Sequence, residues 1–105
     1  MRRVEFHPEA YMEVEGARSW YETNSPGLGM AFIDAVQMAV DAIRDSPDMW
    51  SSYEYGSRRF FLRRFPFSLI YRHDATKIQI IAVAHLHRNP GYWKNRKFQP
   101  SIPPE

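Results

Sequence analysis

A chain of 105 residues, 44% apolar and 25% charged, has the composition of one small globular domain with no room for a second. Burying roughly 60 to 65% of its unfolded surface, it closes one layer of helices on one sheet, which argues against a deep cofactor cavity, and the absence of cysteine excludes a disulfide framework, a zinc ribbon and a thiolate nucleophile. The net charge of +2 hides a division at Ser57: four basic and ten acidic side chains before it leave −6, whereas ten basic and two acidic ones after it leave +8. Such asymmetry points to an anionic partner for the C-terminal half, nucleic acid or acidic protein, or else to two halves that neutralise one another in the fold.

Val4 to Phe6 reads as a first strand, stopped by His7-Pro8, with Pro8 in the first turn of a helix. Ala10, Val14, Ala17 and Tyr21 form the stripe of an amphipathic helix from about Pro8 to Thr23, with Glu9, Glu13, Glu15 and Glu22 directed elsewhere. Asn24-Ser25-Pro26-Gly27 interrupts it, and Ser25 with Pro26 is expected to cap the next helix. Leu28, Phe32, Ala35, Ala39 and Ile43 repeat the stripe until Ser46-Pro47 ends it. The two helices make an antiparallel hairpin.

From Arg59 the period becomes two. Phe60, Leu62 and Arg64 alternate with Phe61, Arg63 and Phe65, Pro66 turns the chain, and Phe67 to Arg72 follows. Asp74 to Lys77 is a turn, and Ile78 to Ala84 is the most strand-like run in the chain. These three strands predict an antiparallel meander with the helices over one face, an α+β layer architecture in the order β-α-α-β-β-β. Asn89 to Lys94 is expected to form one helical turn. Residues 1–98 then make a single domain, and 99–105 a disordered tail. The N-terminus has no apolar run for a signal peptide and no stretch reaches the roughly 18 to 20 apolar residues of a membrane span, so the cytoplasm is the expected location.

In this order of elements, four short words resemble the RelE/ParE superfamily, the toxins of bacterial type II toxin-antitoxin pairs. They are Ser19-Trp20-Tyr21-Glu22; Pro26-Gly27-Leu28-Gly29 with Phe32; Arg64-Phe65-Pro66-Phe67 with Ile70-Tyr71-Arg72; and Val83-Ala84-His85 with Arg88-Asn89-Pro90-Gly91-Tyr92-Trp93. The resemblance covers roughly residues 3 to 96. It implies a helical hairpin on a small antiparallel sheet, growth inhibition, no cofactor, and a cognate antitoxin as partner. RelE-type members cleave messenger RNA on the ribosome with sheet lysines and arginines and a C-terminal tyrosine; ParE-type members bind DNA gyrase. Phe61, Ser68 and Leu86 stand where the RelE pattern carries cations, and only Arg59, Arg88 and Tyr92 match. The resemblance is therefore closer to ParE.

Cleavage of RNA through its 2′-hydroxyl needs a base, cations at the phosphorane and an acid. Arg63, His85, Arg88 and Tyr92 are the candidate catalytic set: histidine titrates nearest neutrality, arginine holds phosphate bidentately, and tyrosine donates a proton or stacks on a base. The alternative for His85 is a strand-end histidine satisfied by a neighbour. His85 and His87 share one strand face, but no other histidine or carboxylate lies within ten residues, which argues against a metal. Arg59, Arg64, Arg72 and Trp93 are candidates for binding a partner or nucleic acid. Against that, arginines among phenylalanines are also what a strand with one wet face shows. Tyr92-Trp93 is either a lid on the core or an anchor for a partner. Three functional classes follow: a toxin that binds an essential protein, a ribosome-dependent endoribonuclease, and a nontoxic interaction module.

Overall fold

The computed structural model describes residues 2–99, and the elements run β1 (Arg3–Phe6), α1 (Pro8–Asn24), α2 (Leu28–Asp45), β2 (Ser51–Ser52), β3 (Arg58–Phe61), β4 (Phe67–His73) and β5 (Lys77–His85). The expected β-α-α-β-β-β order is present, with the two-residue β2 added at one edge. Apart from Gln99, the expected tail lies outside the described residues. No helix among them is long and apolar enough to cross a membrane.

Helix α1 starts because Pro8 occupies its first turn and the His7 ring accepts a hydrogen bond from the Glu9 N–H at 3.1 Å. Helix α2 starts differently from expectation. Ser25 does not cap it: the chain turns through Gly27 at φ 89°, and the Glu22 carboxylate, reaching over from α1, accepts from the N–H groups of Gly27 and Gly29 at 3.1 Å. An acid at the end of one helix thus satisfies the free donors that open the next. The hairpin is tight at Gly29, where a Cβ would lie 2.8 Å from the Arg18 carbonyl oxygen.

The sheet order is β1-β5-β4-β3-β2, with β1 parallel to β5 and every other pair antiparallel. The main core lies between helices and sheet, joining Ala10 and Val14 of α1, Phe32, Val36 and Ile43 of α2, and Leu69, Tyr71, Ile78, Ile80 and Val83 of the central strands. Tyr71 is fully buried, and its hydroxyl donates to the Pro47 carbonyl at 2.6 Å.

A bulge in β5 decides what the other face becomes. Ile80 pairs with Tyr71 and Ala82 with Ile70, so Ile81 is the extra residue. Ile81 and Ala82 therefore share the face away from the helices, where with Ile70, Ala84 and Trp93 they form a second apolar cluster. That face is covered by residues 89–98. They make consecutive short turns rather than a single helical one, with Tyr92 N–H bonded to the Asn89 carbonyl and Lys94 N–H to that of Gly91. Trp93 is 1% exposed. It is a lid on this cluster, so its ring is closed to a partner.

Strand β3 is shorter than the alternation predicts. The chain leaves it after Phe61, and Arg64 takes φ 70°, so Leu62 and Phe65 both turn into the core while Arg63 and Arg64 point outward. Within the strand, the phenylalanines and arginines do not separate by face. Phe60 packs on the core and Phe61 is 48% exposed; Arg58, opposite Tyr71, donates to the Trp50 carbonyl at 2.7 Å, and Arg59 lies opposite Ile70.

Candidate functional site

The face opposite the helices carries a hollow of about 100 Å³ lined by Tyr53, Arg59, Ser68, Arg88, Asn89, Tyr92 and Trp93 among others. Strand β3 brings Arg59 and Phe61 to this face, β4 brings Ser68 and Ile70, and the turns after β5 bring Arg88 and Tyr92. Both arginines are braced by stacking. The Arg59 guanidinium carbon is 3.9 Å from the centroid of the Tyr53 ring and 4.6 Å from that of Phe61; that of Arg88 is 3.8 Å from the centroid of Tyr92.

The four candidate catalytic residues do not meet. Arg88 and Tyr92 touch, and His85 lines the hollow with them, but its ring packs edge-on against Phe67, centroids 5.1 Å apart, beside Ala17, Trp20 and Tyr21 of α1. Its Nδ1 accepts from the His87 N–H at 3.1 Å, so the reading as a strand-end histidine satisfied by a neighbour describes it. The rings of His85 and His87 stand 5.0 Å apart, and among the described residues no third metal-ligating side chain joins them. Arg63 lies elsewhere again, on a groove of about 550 Å³ between α2 and β3 with Asp34, Met38, Trp50, Phe60 and Arg64.

Tyr92 is engaged in a different task. Its hydroxyl donates to Glu13 Oε2 at 2.6 Å, and burial, reinforced by this bond, pushes the phenol well above the ordinary tyrosine value. Glu13 also accepts from the Val83 N–H at 3.0 Å and from Arg96 at 2.9 and 3.0 Å; Arg96 donates in addition to the Ile81 carbonyl at 3.1 Å. Burial works against the Arg96 charge, but Glu13 outweighs it and holds the guanidinium above its usual value. β1 ends at Phe6, opposite Ile80. Glu13 and Arg96 thus serve the backbone of β5 where its parallel neighbour has run out.

The remaining candidates divide. Arg72 is tied to the Tyr55 carbonyl at 2.7 and 3.2 Å, which fixes the hairpin between β2 and β3. Arg64 is exposed, with its guanidinium 5.6 Å from the Phe65 centroid. Of the positive half, Arg96 forms ion pairs with Glu9 and Glu13 of the negative half, and His73 Nε2 lies 3.1 Å from Asp48 Oδ1. Among the described residues, no carboxylate oxygen lies within 4 Å of a guanidinium nitrogen of Arg59, Arg63, Arg64 or Arg88. Neutralisation between the halves is therefore partial.

Glu13 and Arg96 are functional supports that the sequence reading passes over. Glu13 had a signal, since it lies three residues after Ala10 and four before Ala17 and so falls inside the apolar stripe. Arg96 follows the last strand, in a stretch without periodicity, and had none.

No family model matches the chain, and no curated protein sequence matches it. Its fold is similar to that of a chain from the chromosomal ParDE TA system of P. aeruginosa, with a TM-score of 0.71 at 18% identity over 81% of this chain and 96% of that one. Two helices on a five-stranded mixed sheet, joined in this order, are thus a ParE-like fold.

Proposed function

We propose that the chain is the toxin of a type II toxin-antitoxin pair, acting in the cytoplasm by binding an essential protein target of the gyrase kind, and that a cognate antitoxin neutralises it. The observation that carries this reading is the separation of the catalytic candidates. Arg63 lies apart on the groove along α2, His85 lines the hollow but packs its ring against Phe67, and the phenol stacked by Arg88 donates its proton to Glu13. Acid–base cleavage of RNA needs those groups around one phosphate. A protein-binding mode is supported instead by the apolar groove along α2, with Met38 exposed beside it and Arg63 and Arg64 at its rim.

One observation favours the endoribonuclease as a second reading: Arg59 and Arg88 line the same hollow, as a phosphate would require. Induction of the chain alone in a bacterium separates the two. The proposed reading expects growth arrest with DNA-damage signalling and intact messenger RNA, relieved by coexpression of a small adjacent gene. Arrest with cleaved messenger RNA supports the second, and unimpaired growth at confirmed soluble expression removes both.

A further inference from the structure

We infer that the hollow between Arg59 and Arg88 is a receptor for one carboxylate side chain of an acidic, partly apolar protein segment. The reading of the chain as a partner-binding toxin supplies the kind of partner; the receptor itself is argued from the two arginines.

The other arginines set into this half of the molecule have their acceptors: Arg58 at the Trp50 carbonyl, Arg72 at that of Tyr55, and Arg96 at Glu13. Arg59 and Arg88 have none among the described residues, and the Arg59 Nε is buried without a hydrogen-bond partner. A buried donor left unpaired is costly, and an incoming anion removes that cost. Stacking has already fixed both groups, on Tyr53 with Phe61 and on Tyr92, and it occupies the flat faces of the guanidinium while leaving its in-plane N–H fork available. The buried Ser68, at 2% exposure, adds a hydroxyl-bearing residue to the wall.

Size and surroundings select the ligand. At about 100 Å³ the hollow holds one small headgroup, the space of a few waters at roughly 30 Å³ each. Its neighbours at the surface are Phe61, 48% exposed, and Leu86, 46% exposed. A nucleic-acid strand presents a phosphate at every step and is tracked by a run of cations, whereas Arg63 and Arg64 lie on the separate groove along α2. A single acid flanked by apolar side chains matches a pair of forks with an apolar rim.

Two-dimensional NMR of the arginine Nε–Hε groups of the full chain tests this with N-acetyl-Leu-Glu-Leu-amide as probe. The Arg59 and Arg88 signals should shift saturably, and binding should weaken about tenfold or more in Arg88→Gln and in Arg59→Lys, which keeps charge but loses the fork. Arg3→Gln, an equal loss of charge far from the hollow, should bind normally. Among the described residues Arg88 makes no side-chain hydrogen bond, so Arg88→Gln should keep the native spectrum even if Arg59→Lys does not fold. The inference is overturned by absence of a saturable shift, by equal binding of the Leu-Gln-Leu peptide, by an equal loss in Arg3→Gln, or by hexauridylate binding more tightly through the same two arginines. Growth arrest without peptide binding removes the receptor and keeps the toxin; peptide binding without arrest does the reverse.

Discussion

Tyr92 donates its phenolic hydrogen to Glu13 across 79 residues of sequence, at 2.6 Å, and so fastens the turns after β5 to α1. The same carboxylate holds Arg96, whose side chain is 11% exposed, and the Val83 N–H. Replacing Glu13 by alanine leaves a phenol, a guanidinium and a backbone donor short of their acceptor together. Glu13→Ala should lower the free energy of unfolding by about 2 to 4 kcal/mol, read from urea titration; a loss within about 0.5 kcal/mol, the range of ordinary surface substitutions, would contradict this account of the network.

Alkali should weaken the fold through its tyrosines. Burial raises the Tyr71 phenol to about 12 from an ordinary 10.0, burial and Glu13 raise Tyr92 further, and burial also raises Tyr21. Above pH 10 the unfolded chain releases these protons while the folded chain keeps them, so the unfolded state binds fewer protons and stability falls as pH rises. The contribution is fully present below pH 10 and is lost as pH climbs toward the folded values. Urea midpoints measured at pH 8, 10 and 11 should be flat across the first interval and drop across the second. A midpoint unchanged at pH 11 would refute the shifts.

His85→Ala should leave growth arrest intact. The residue borders the hollow, but its ring packs on Phe67 beside α1 and its Nδ1 accepts from the His87 N–H, and removal of a true general acid or base typically costs about 100- to 10,000-fold in rate. Plating efficiency on induction, with protein level verified, distinguishes the outcomes: full relief of toxicity by this substitution would restore the nuclease reading.

Gly29→Ala should destabilise by about 1 to 3 kcal/mol. The added methyl would meet the Arg18 carbonyl at 2.8 Å and Glu22 Cβ at 2.9 Å, and the first of these is backbone that cannot step aside without opening the hairpin. Thermal unfolding of the variant checks it; an unchanged midpoint would mean that the helices part at no cost.

What the sequence makes legible follows from where the physics is local. The stripe Leu28, Phe32, Ala35, Ala39 and Ile43 writes α2 almost to its ends, because an apolar residue every third or fourth position has one way to be buried. The continuous apolar stretch Ile80 to Ala84 is the pattern of a strand buried on both faces, yet what covers the second face is a segment of turns in which Trp93 has no periodic neighbours to reveal its direction. The same limit applies to the site. Arg59, Arg88 and Tyr92 are individually recognisable as candidates, but the turning of the His85 ring onto Phe67 follows from strand parity after the bulge at Ile81, and the place of Arg63 from the left-handed Arg64 beside it. Both are matters of tertiary register, and the loop over Leu62 to Pro66 ends the strand in spite of its alternating pattern.

Glu5 of β1 and Gln79 of β5 are hydrogen-bonded side chain to side chain at a separation of 74 residues, and β5 is also the inner neighbour of β4. Synthesis from the N-terminus therefore delivers an interior strand of the sheet after all the other described strands. Until Lys77–His85 has left the ribosome, β1 has no parallel partner and β4 lacks one of its two, and closing so long a loop must precede the contacts that reward it. Folding for this reason waits on β5, and until that strand is available the chain has no finished sheet surface for any other molecule to grip.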